Sequence, residues 1–574
     1  MNKYETLLKQ WCDSLVNLQI KGFGQPHDGG ILCPACTTLH GRADNAVFPL
    51  VYTYKLTGDE KYIKSAETLF KWQERLINPD GSCYNDGNNG WKGITVFSCI
   101  GYCKTVKYLS NALDDNFKIA IIHRIEAQAE WIYNYVGINY HSNINYYAAA
   151  ASAMALCGEL FGEEKYFVRS REMLDYCMRH FTENGLLMGE GQPHNGATER
   201  GCRFVDIGYN FEESIPCLTD AAEILNDENT LKTLAHNVLK TLDIFMPDGA
   251  MDNTFGTRNN KWTYYGSRTS DGCVASLLIL SEYAPQLKEA ALRNMELQMQ
   301  CTHNGLLYGG RQYFEAGQKP CSHHTICHAV GLADALIAGL SESIERQELL
   351  SDKYEFSFKY YPEVETYKIW AGDWLATVTA CDNQPSKVGS GGVHPSGGTV
   401  SLLYHKPSGP VIAGSTYTYK LGEPLNMQLP NELLYPHRTL IPRAEYVENG
   451  TIYASCLDNK AEMTAEVGDL SVTVASISTL TAINGTVTEK PVKMTAEYVF
   501  KNDGVCFKLH FDNADGVRYI IPLIGDIFLK TENKYSKQKI FYLGGGFIAD
   551  EYCLLPDGNG DIHLKLSKSQ SVKC

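Results

Sequence analysis

The feature that most constrains the fold is a two-helix unit that recurs along the first two thirds of the chain. Each unit opens with a polar segment, continues into an apolar helix and then an amphipathic helix, and commonly ends at an Asp-Gly or Asn-Gly turn. Successive units start roughly 45–65 residues apart, near His40, Trp91, His141, Val205, Gly266 and His323. Six helix pairs can close into a ring, so the pattern predicts an (α/α)6 toroid over residues 1–340.

The third unit shows the design most clearly. The stretch NYHSNINYYAAAASAMALCGELFGEEKYF, Asn139 to Phe167, begins with polar and aromatic residues and continues as a small, apolar helix that stops at Gly162. An Ala-rich helix can pack closely against its neighbours. Polar residues at the start of such a helix are well placed to face a cavity.

Polar residues recur at the same place in the other units, where the inner helices of a toroid would present their N-terminal loops at one mouth. The residues predicted to converge there are His40, Arg42, Trp91, His141, Asn145, Tyr209, Glu212, Arg268, His323 and His324. The competing interpretation is that each is a separate helix cap or surface residue, since His and Tyr are often structural.

The sequence changes character after about Leu350. From Tyr367 onward it consists of short β-branched, alternating segments separated by Gly-rich turns, such as DLSVTVASISTLTAING and GVRYIIPLIGD. This pattern is typical of an antiparallel β-sheet or sandwich domain. We therefore expect residues 341–366 to be a linker and residues 367–574 to form the β domain.

Composition and charge narrow the class of protein. The 574 residues are 44% hydrophobic and 20% charged, with a formal net charge of -15 and no Lys/Arg run, which argues against a nucleic-acid partner. No stretch has the length and apolarity of a membrane span, and the start lacks the pattern of a signal peptide. Nineteen scattered cysteines favour reduced core residues and a cytoplasmic location; a periplasmic location is the alternative if a signal has been removed.

Two segments offer sugar-binding chemistry. GYNFEESIP, Gly208 to Pro216, places Tyr209 beside an Asn and two carboxylates at a helix start. RNNKWTYYGSRTSDG supplies Arg258, Tyr265 and Arg268. Aromatic faces and Arg forks suit a sugar that carries a carboxylate, whereas the alternative for the second segment is a surface loop.

Two further motifs contain possible metal ligands. SHHTICH places His324 and His328 at i, i+4 on a helix, a spacing that suits a metal or a substrate hydrogen bond. LCPACTTLHGR contains Cys33, Cys36 and His40, which is half of a zinc site, although no second Cys/His pair is evident in the sequence. A redox pair and a purely structural loop are the other interpretations, and the last is favoured, so no cofactor is expected.

The choice of reaction depends on which polar residues dominate. The carboxylates that could serve a glycosidase are Asp44, Asp86, Glu190, Asp206, Glu212, Glu213 and Asp271, and none lies in a diagnostic motif. His, Tyr, Asn and Arg at the unit starts suit β-elimination from a uronic acid instead. There, Asn or Arg neutralises the carboxylate and Tyr or His moves the protons.

The layout resembles the toroid-plus-sheet polysaccharide lyases of the heparinase and alginate lyase type. The likeness is carried by the Asn139–Phe167 stretch, by VDIGYNFEESIPCL, and by WAGDWLATVTACD with LLYHKPSGPVIAGS. Within that group it is most similar to polysaccharide lyase family 27, which removes rhamnose from glucuronate on arabinogalactan-protein side chains. The resemblance implies cleavage of an acidic oligosaccharide or polysaccharide.

The same resemblance implies an Asn near the substrate carboxylate, a Tyr acid/base and a His partner base. These roles fall on Asn145 or Asn143, on Tyr209 and on His141, with His405 of the sheet domain as a further candidate. The competing functions are a toroid glycoside hydrolase with an Asp/Glu acid/base pair and a non-catalytic glycan-binding protein.

Overall fold

The computed structural model describes residues 1–86, 90–190, 196–256, 273–382, 393–414, 416–417, 438–542 and 546–568. The described helices are α1 (Lys3–Leu18), α2 (Val47–Thr57), α3 (Glu60–Gln73), α4 (Thr95–Leu109), α5 (Asp115–Tyr135), α6 (Ile144–Phe161), α7 (Glu164–Met178), α8 (Ile207–Tyr209), α9 (Ile215–Ile224), α10 (Glu228–Lys240), α11 (Val274–Leu280), α12 (Leu287–Gln300), α13 (Arg311–Glu315) and α14 (Ser322–Ile337).

These helices form a closed double ring. The inner ring runs α2, α4, α6, α9, α11, α14, and α14 packs back against α2. Each inner helix has an outer partner: α3, α5, α7, α10, α12 and, for α14, the N-terminal helix α1. The predicted (α/α)6 toroid is confirmed, and the chain's first helix completes the pair that its last inner helix begins.

The inner helices are apolar because they are covered on every side. In α6 the run Ala148–Ala151 is fully buried between α4, α7 and α9, and only small side chains allow helix axes to approach so closely. The helix ends at Gly162, as the sequence predicts, and this residue has φ +69° and donates its N–H to Gly158 O. Glycine enters that left-handed conformation without a steric penalty.

The remaining elements are strands: β1 (Thr302–His303), β2 (Leu306–Leu307), β3 (Phe356–Tyr361), β4 (Thr366–Ala371), β5 (Trp374–Thr379), β6 (Thr399–His405), β7 (Gly409–Ala413), β8 (Arg443–Glu448), β9 (Thr451–Ala454), β10 (Glu462–Gly468), β11 (Ser471–Thr479), β12 (Thr481–Ala482), β13 (Lys493–Lys501), β14 (Gly504–Phe511), β15 (Arg518–Leu523), β16 (Phe528–Thr531), β17 (Tyr535–Tyr542), β18 (Phe547–Leu554) and β19 (Asp561–Ser567).

Apart from the β1-β2 hairpin, the strands form three layered antiparallel sheets. Their orders are β3-β4-β5-β6-β7, β10-β11-β13-β14-β19-β16 and β12-β9-β8-β15-β18-β17. Alternate residues of β11 and β13 are buried, which is the two-residue period that the sequence displays. The predicted antiparallel β domain is therefore confirmed.

The predicted linker, 341–366, is wrong at its C-terminal end. Strand β3 lies inside it and pairs with β4 along its whole length. Most of its residues are half-buried, and it carries Lys359 among aromatic side chains, so it lacks the β-branched alternation by which the other strands are recognised. The segment before β3 is also anchored, because Asp352 pairs with Arg293 of α12 at 2.6 Å.

None of the helices in the described part of the chain combines the length and the apolar character that a membrane span requires.

Candidate active site

A buried carboxylate joins three segments of the inner ring. Glu213 Oε1 accepts a 2.9 Å hydrogen bond from Arg42 Nη2, and its Oε2 accepts a 2.6 Å bond from Asn145 Nδ2. Arg42 lies in a 3-10 turn before α2, Asn145 in the first turn of α6, and Glu213 in a π-helical turn before α9. Polar residues from three separate units therefore meet at one mouth of the toroid.

Backbone geometry brings these segments together. The 3-10 turn, Gly41–Ala46, begins where Gly41 donates its N–H to Asn85 O at 2.7 Å. A Cβ at Gly41 would lie 2.4 Å from Tyr84 O, so only glycine permits this approach. The π-helical turn, Asn210–Ser214, follows Tyr209, whose N–H is capped by Asp206 Oδ1 at 3.1 Å. Such π turns inside helices frequently occur at functional sites.

Aromatic side chains form a wall beside this cluster. Trp91 Nε1 donates a 2.8 Å hydrogen bond to Tyr146 Oη, and the Arg42 guanidinium lies 4.2 Å from the centre of the Phe97 ring. Burial, followed by the nearby Glu213 and Tyr209, raises the pKa of Tyr146 above its usual range. Tyr146 is therefore a protonated phenol at neutral pH.

A cavity leads from the cluster toward the ring axis. Glu212 and Glu213 line its upper part, and Lys104 lies deeper, between Asp220 at 2.8 Å and Asp334 at 2.7 Å. Burial opposes the charge of Lys104, but the two carboxylates outweigh it and raise the pKa well above the usual lysine value. The axis therefore holds a permanent cation below the mouth.

Two family models account for most of the chain. The ulvan lyase N-terminal domain matches residues 8–352, and the ulvan lyase C-terminal domain matches residues 358–540.

The chain belongs to the ulvan lyase family.

One curated relative and several solved structures are similar to this chain. A broad-specificity ulvan lyase from Formosa agariphila is 33% identical over 472 residues, which cover 81% of this chain and 73% of the relative. Similar solved structures include a heparan sulfate lyase from Pedobacter heparinus (10% identity, 98% of this chain, 82% of that chain, TM-score 0.47). Another is a chondroitin AC lyase from Streptomyces coelicolor A3 (12% identity, 99% of this chain, 83% of that chain, TM-score 0.49).

Family membership identifies the protein as a polysaccharide lyase, which confirms the expected enzyme class. It favours neither the glycoside hydrolase nor the glycan-binding alternative. The narrower resemblance to polysaccharide lyase family 27 has no support among these matches.

The expected acid/base residues occupy different environments. Tyr209 is buried beside the Glu213 cluster, close enough to Tyr146 to help raise the pKa of that phenol. His141 is exposed just before α6, in a left-handed conformation with φ +55°, and its backbone N–H donates to Tyr147 Oη at 3.1 Å. Asn143 is the half-buried N-cap residue of α6. The roles of these residues stay predictions.

The other predicted histidines of the toroid lie in the first and last units of the ring. His40 is held by Asp86 and Cys36, and the His323 ring lies 6.5 Å from the His40 ring. His324 is buried one turn before His328 on α14, with ring centres 4.7 Å apart. His40 and His323 thus belong to a second cluster, next to the turn that carries Arg42. The predicted convergence of all unit starts on one site stays a prediction.

His405 is not part of either cluster in the described structure. Its ring lies 4.7 Å from that of Trp374, and its Nδ1 lies 2.8 Å from Ser408 Oγ. These contacts lie within the β domain. The sequence suggested a role for His405 only by analogy with lyases that take a histidine from the sheet domain.

Most of the carboxylates considered for hydrolysis have structural partners. Asp44 accepts hydrogen bonds from Gln73 and Ser98 inside the toroid wall. Asp86 holds His40, Asp206 caps α8, and Glu190 is buried beside Cys177. Arg258, Tyr265, Arg268 and Asp271 lie outside the described residues.

Sequence reasoning assigned no role to Tyr146 and considered Glu213 only as one of several acids. The signal for Glu213 was the Glu212-Glu213 pair at a helix start, beside Tyr209. The signal for Tyr146 was an aromatic residue at one unit start that could meet Trp91 at the previous one.

Proposed function

We propose that the protein cleaves ulvan, or oligosaccharides derived from it, by β-elimination at the glycosidic bond to a uronic acid. Two findings support this function: the match to both ulvan lyase domains and the Arg42–Glu213–Asn145 cluster at the toroid mouth. Ulvan contains uronic acids, so its carboxylate needs an amide or cationic partner in the site.

The cluster would prepare the substrate for loss of the proton at C5. Glu213 takes one N–H of Asn145, which fixes the plane of the amide and leaves its second N–H for the sugar carboxylate. Arg42 offsets the charge of Glu213, so this carboxylate repels the acidic sugar less. Hydrogen bonds that strengthen as the carboxylate takes up electron density acidify the neighbouring C–H.

Proton transfers would complete the elimination. In the proposed step His141 accepts the C5 proton, the electron pair forms the C4–C5 double bond, and the C4–O bond breaks. Tyr209 donates a proton to the departing glycosidic oxygen. His141 suits the first role because it is exposed at the mouth, and Tyr209 suits the second because it lies beside Tyr146 at the cluster.

The linkage that is cleaved is a further part of the proposal, and it comes from the resemblance to polysaccharide lyase family 27. A uronate with rhamnose as its neighbour was the expectation from the sequence, and we retain rhamnose–glucuronate as a proposed linkage. Trp91 supports binding of a sugar ring, because 41% of its surface is exposed and its indole lies against Tyr140 and Tyr146.

The experiment measures the ultraviolet absorbance of the unsaturated uronate. The protein is incubated with ulvan, with rhamnose–glucuronate oligosaccharides and with a galacturonate polymer. We expect absorbance to rise on ulvan, and the Tyr209→Phe protein to lose at least about 10²-fold in kcat, the usual contribution of a general acid. The matched control is Tyr166→Phe, which removes a buried phenol that bonds Glu130 on the outer ring.

Each other outcome has a definite meaning. Release of reducing sugar without the absorbance would overturn elimination in favour of hydrolysis. Full activity in Tyr209→Phe would remove Tyr209 from the mechanism, and loss in His141→Ala alone would leave one residue for both proton transfers. Turnover on the galacturonate polymer but not on ulvan would contradict the proposed substrate.

A further inference from the structure

A second cluster of the toroid is built from three cysteines and a histidine that the elimination chemistry does not use. Cys33 Sγ lies 3.7 Å from Cys321 Sγ, and Cys36 Sγ lies 3.0 Å from His40 Nε2. The ligand atoms of Cys33, Cys36 and His40 all lie within 4.8 Å of one another. Cys33, Cys321 and His40 are almost fully buried, and Cys36 is half-buried.

The spacing of Cys33, Cys36 and His40 is close to that around a tetrahedral zinc ion, and Cys321 lies beside Cys33 outside that group of three. Zn–S bonds of about 2.3 Å and a Zn–N bond of about 2.0 Å place neighbouring sulfurs about 3.8 Å apart, and sulfur and nitrogen about 3.5 Å apart. The Cys33–Cys321 distance, 3.7 Å, meets the first value, and the Cys36–His40 distance, 3.0 Å, needs to open by about half an ångström. Thiolates and imidazole are the ligands that zinc prefers in closed structural sites.

The surroundings of the four side chains are also those of a metal site. His40 presents Nε2 to the cysteines, while its Nδ1–H donates to Asp86 Oδ1 at 2.9 Å. A metal-bound histidine nearly always donates its other ring N–H to a carboxylate or carbonyl in this way. The backbone N–H groups of Cys36 and Thr38 hydrogen-bond to the sulfurs of Cys33 and Cys36, which suits thiolates.

We propose that Cys33, Cys36, His40 and Cys321 bind a structural zinc ion, with Asp86 orienting the histidine. The two halves of the site are 288 residues apart in sequence, between Cys33 and Cys321. This distance is why the Cys-x-x-Cys-x-x-x-His segment looked incomplete by itself.

The position of the site indicates the structural role of the metal. Cys321 is the N-cap residue of α14, the last inner helix, and His40 is the N-cap residue of the turn that carries Arg42. A zinc ion would therefore join the first and last units of the ring where the toroid closes. It would also fix the turn that presents Arg42 to Glu213.

The test measures metal content in untagged, full-length protein produced with zinc in the medium and purified without chelator. We expect about one zinc per chain, and loss of that zinc in Cys36→Ser and Cys321→Ser. A chelator should lower the melting temperature of the wild-type protein by several degrees. His40→Cys, which supplies a fourth thiolate, should keep the zinc, whereas His40→Ala should lose it.

A matched control uses a second cysteine cluster, Cys99, Cys103 and Cys157. The Cys157 sulfur lies 3.6 Å from that of Cys99 and 3.9 Å from that of Cys103, between α4 and α6. This cluster is buried in the core, and no imidazole or carboxylate is part of it. We expect Cys157→Ser to keep the zinc. If Cys157→Ser loses the metal while Cys36→Ser keeps it, the proposed site is wrong.

A spectroscopic measurement covers the case in which a cysteine variant does not fold. Wild-type protein refilled with Co²⁺ should show thiolate-to-cobalt charge-transfer absorption and the strong visible bands of a tetrahedral ion. Metal-free wild-type protein with a Cys33–Cys36 or Cys33–Cys321 disulfide in its peptide masses would overturn the proposal in favour of a redox pair. These readouts do not depend on activity, so they stand or fall separately from the proposed elimination.

Discussion

At the scale of single residues, Asp44 shows that a carboxylate near the toroid mouth can stabilise the toroid wall instead of taking part in the active site. It is fully buried and accepts a 2.5 Å hydrogen bond from Gln73 and a second bond from Ser98. Gln73 in turn accepts from Tyr102 and Arg124. Burial raises the pKa of Asp44 from its ordinary 3.8 to about 6.

That shift makes the stability of the toroid fall as pH rises. Because the folded pKa is higher than the unfolded one, the native state binds the extra proton between pH 4 and 6. The contribution is present at low pH and is lost as pH rises through about 6, by up to about 3 kcal/mol. Asn at this position still accepts both hydrogen bonds, so Asp44→Asn should gain stability relative to wild type between pH 4.5 and 8.

Thermal unfolding at the two pH values would check this expectation. Asp115→Asn, on the exposed first turn of α5, is the control for a carboxylate outside the network. A difference between Asp44→Asn and wild type that stays constant from pH 4.5 to 8 would contradict the protonation argument.

Single residues are also where sequence reasoning succeeds least. The positions Arg42, Asn145 and Tyr209 were recognised because each begins a helical unit, and a unit start can be read locally. Their partners could not be assigned, because Glu213 meets Arg42 across 171 residues. For the same reason, the contact between Cys33 and Cys321 could not be predicted from the sequence.

At the scale of elements, the repeating pattern in the sequence was sufficient to predict the toroid, because the same packing rule applies to every helical unit. Inner helices such as α6 must be small and apolar on all sides, and outer helices such as α3 need only one apolar face. Strand β3 was not predicted from the sequence, because it is mostly half-buried and carries Lys359 among aromatic residues instead of alternating β-branched ones. The assignment of α1 to the sixth pair depends on ring closure, which no local pattern contains.

The inner helices also depend on a charge cluster at the axis. Lys104 of α4 contacts Asp220 of α9 and Asp334 of α14 at 2.8 and 2.7 Å. Lys104→Met would leave two largely buried carboxylates without their cation, and removing one partner from a buried pair costs about 3–5 kcal/mol. We expect a loss of that size in the free energy of unfolding, measured with urea.

Two further variants isolate the cause. The triple variant Lys104→Met, Asp220→Asn, Asp334→Asn should recover most of the loss, because no charge is then buried unpaired. Lys107 lies on the same helix as Lys104 and forms a more exposed ion pair with Glu159 at 2.6 Å. Lys107→Met should therefore cost less than about 1 kcal/mol. If Lys107→Met and Lys104→Met cost the same, the axial cluster does not tie the helices together.

At the scale of the whole molecule, the toroid and the β domain share a buried ion pair. Lys368 of β4 donates to Asp252 Oδ2 of the toroid at 2.9 Å, and both side chains are at most 1% exposed. Thr377 of β5 donates to the same oxygen, and Thr254 contacts Ser401 of β6 at 3.2 Å. The five-stranded sheet is thus attached to the toroid through polar groups that lie out of contact with solvent.

This attachment should make the two domains unfold together. Lys368→Met leaves Asp252 charged and buried at the interface, which costs about 3–5 kcal/mol, and calorimetry should then show two transitions in place of one. Lys359→Met is the matched control, because Lys359 pairs with Asp243 at 3.0 Å in a more exposed part of the same interface, where the cost should stay below about 1 kcal/mol. A single transition in Lys368→Met, at the wild-type temperature, would mean that the Lys368–Asp252 pair does not couple the unfolding of the two domains. Lys368 and Asp252 are both buried, so water cannot replace either partner. We therefore expect loss of this ion pair to destabilise both domains.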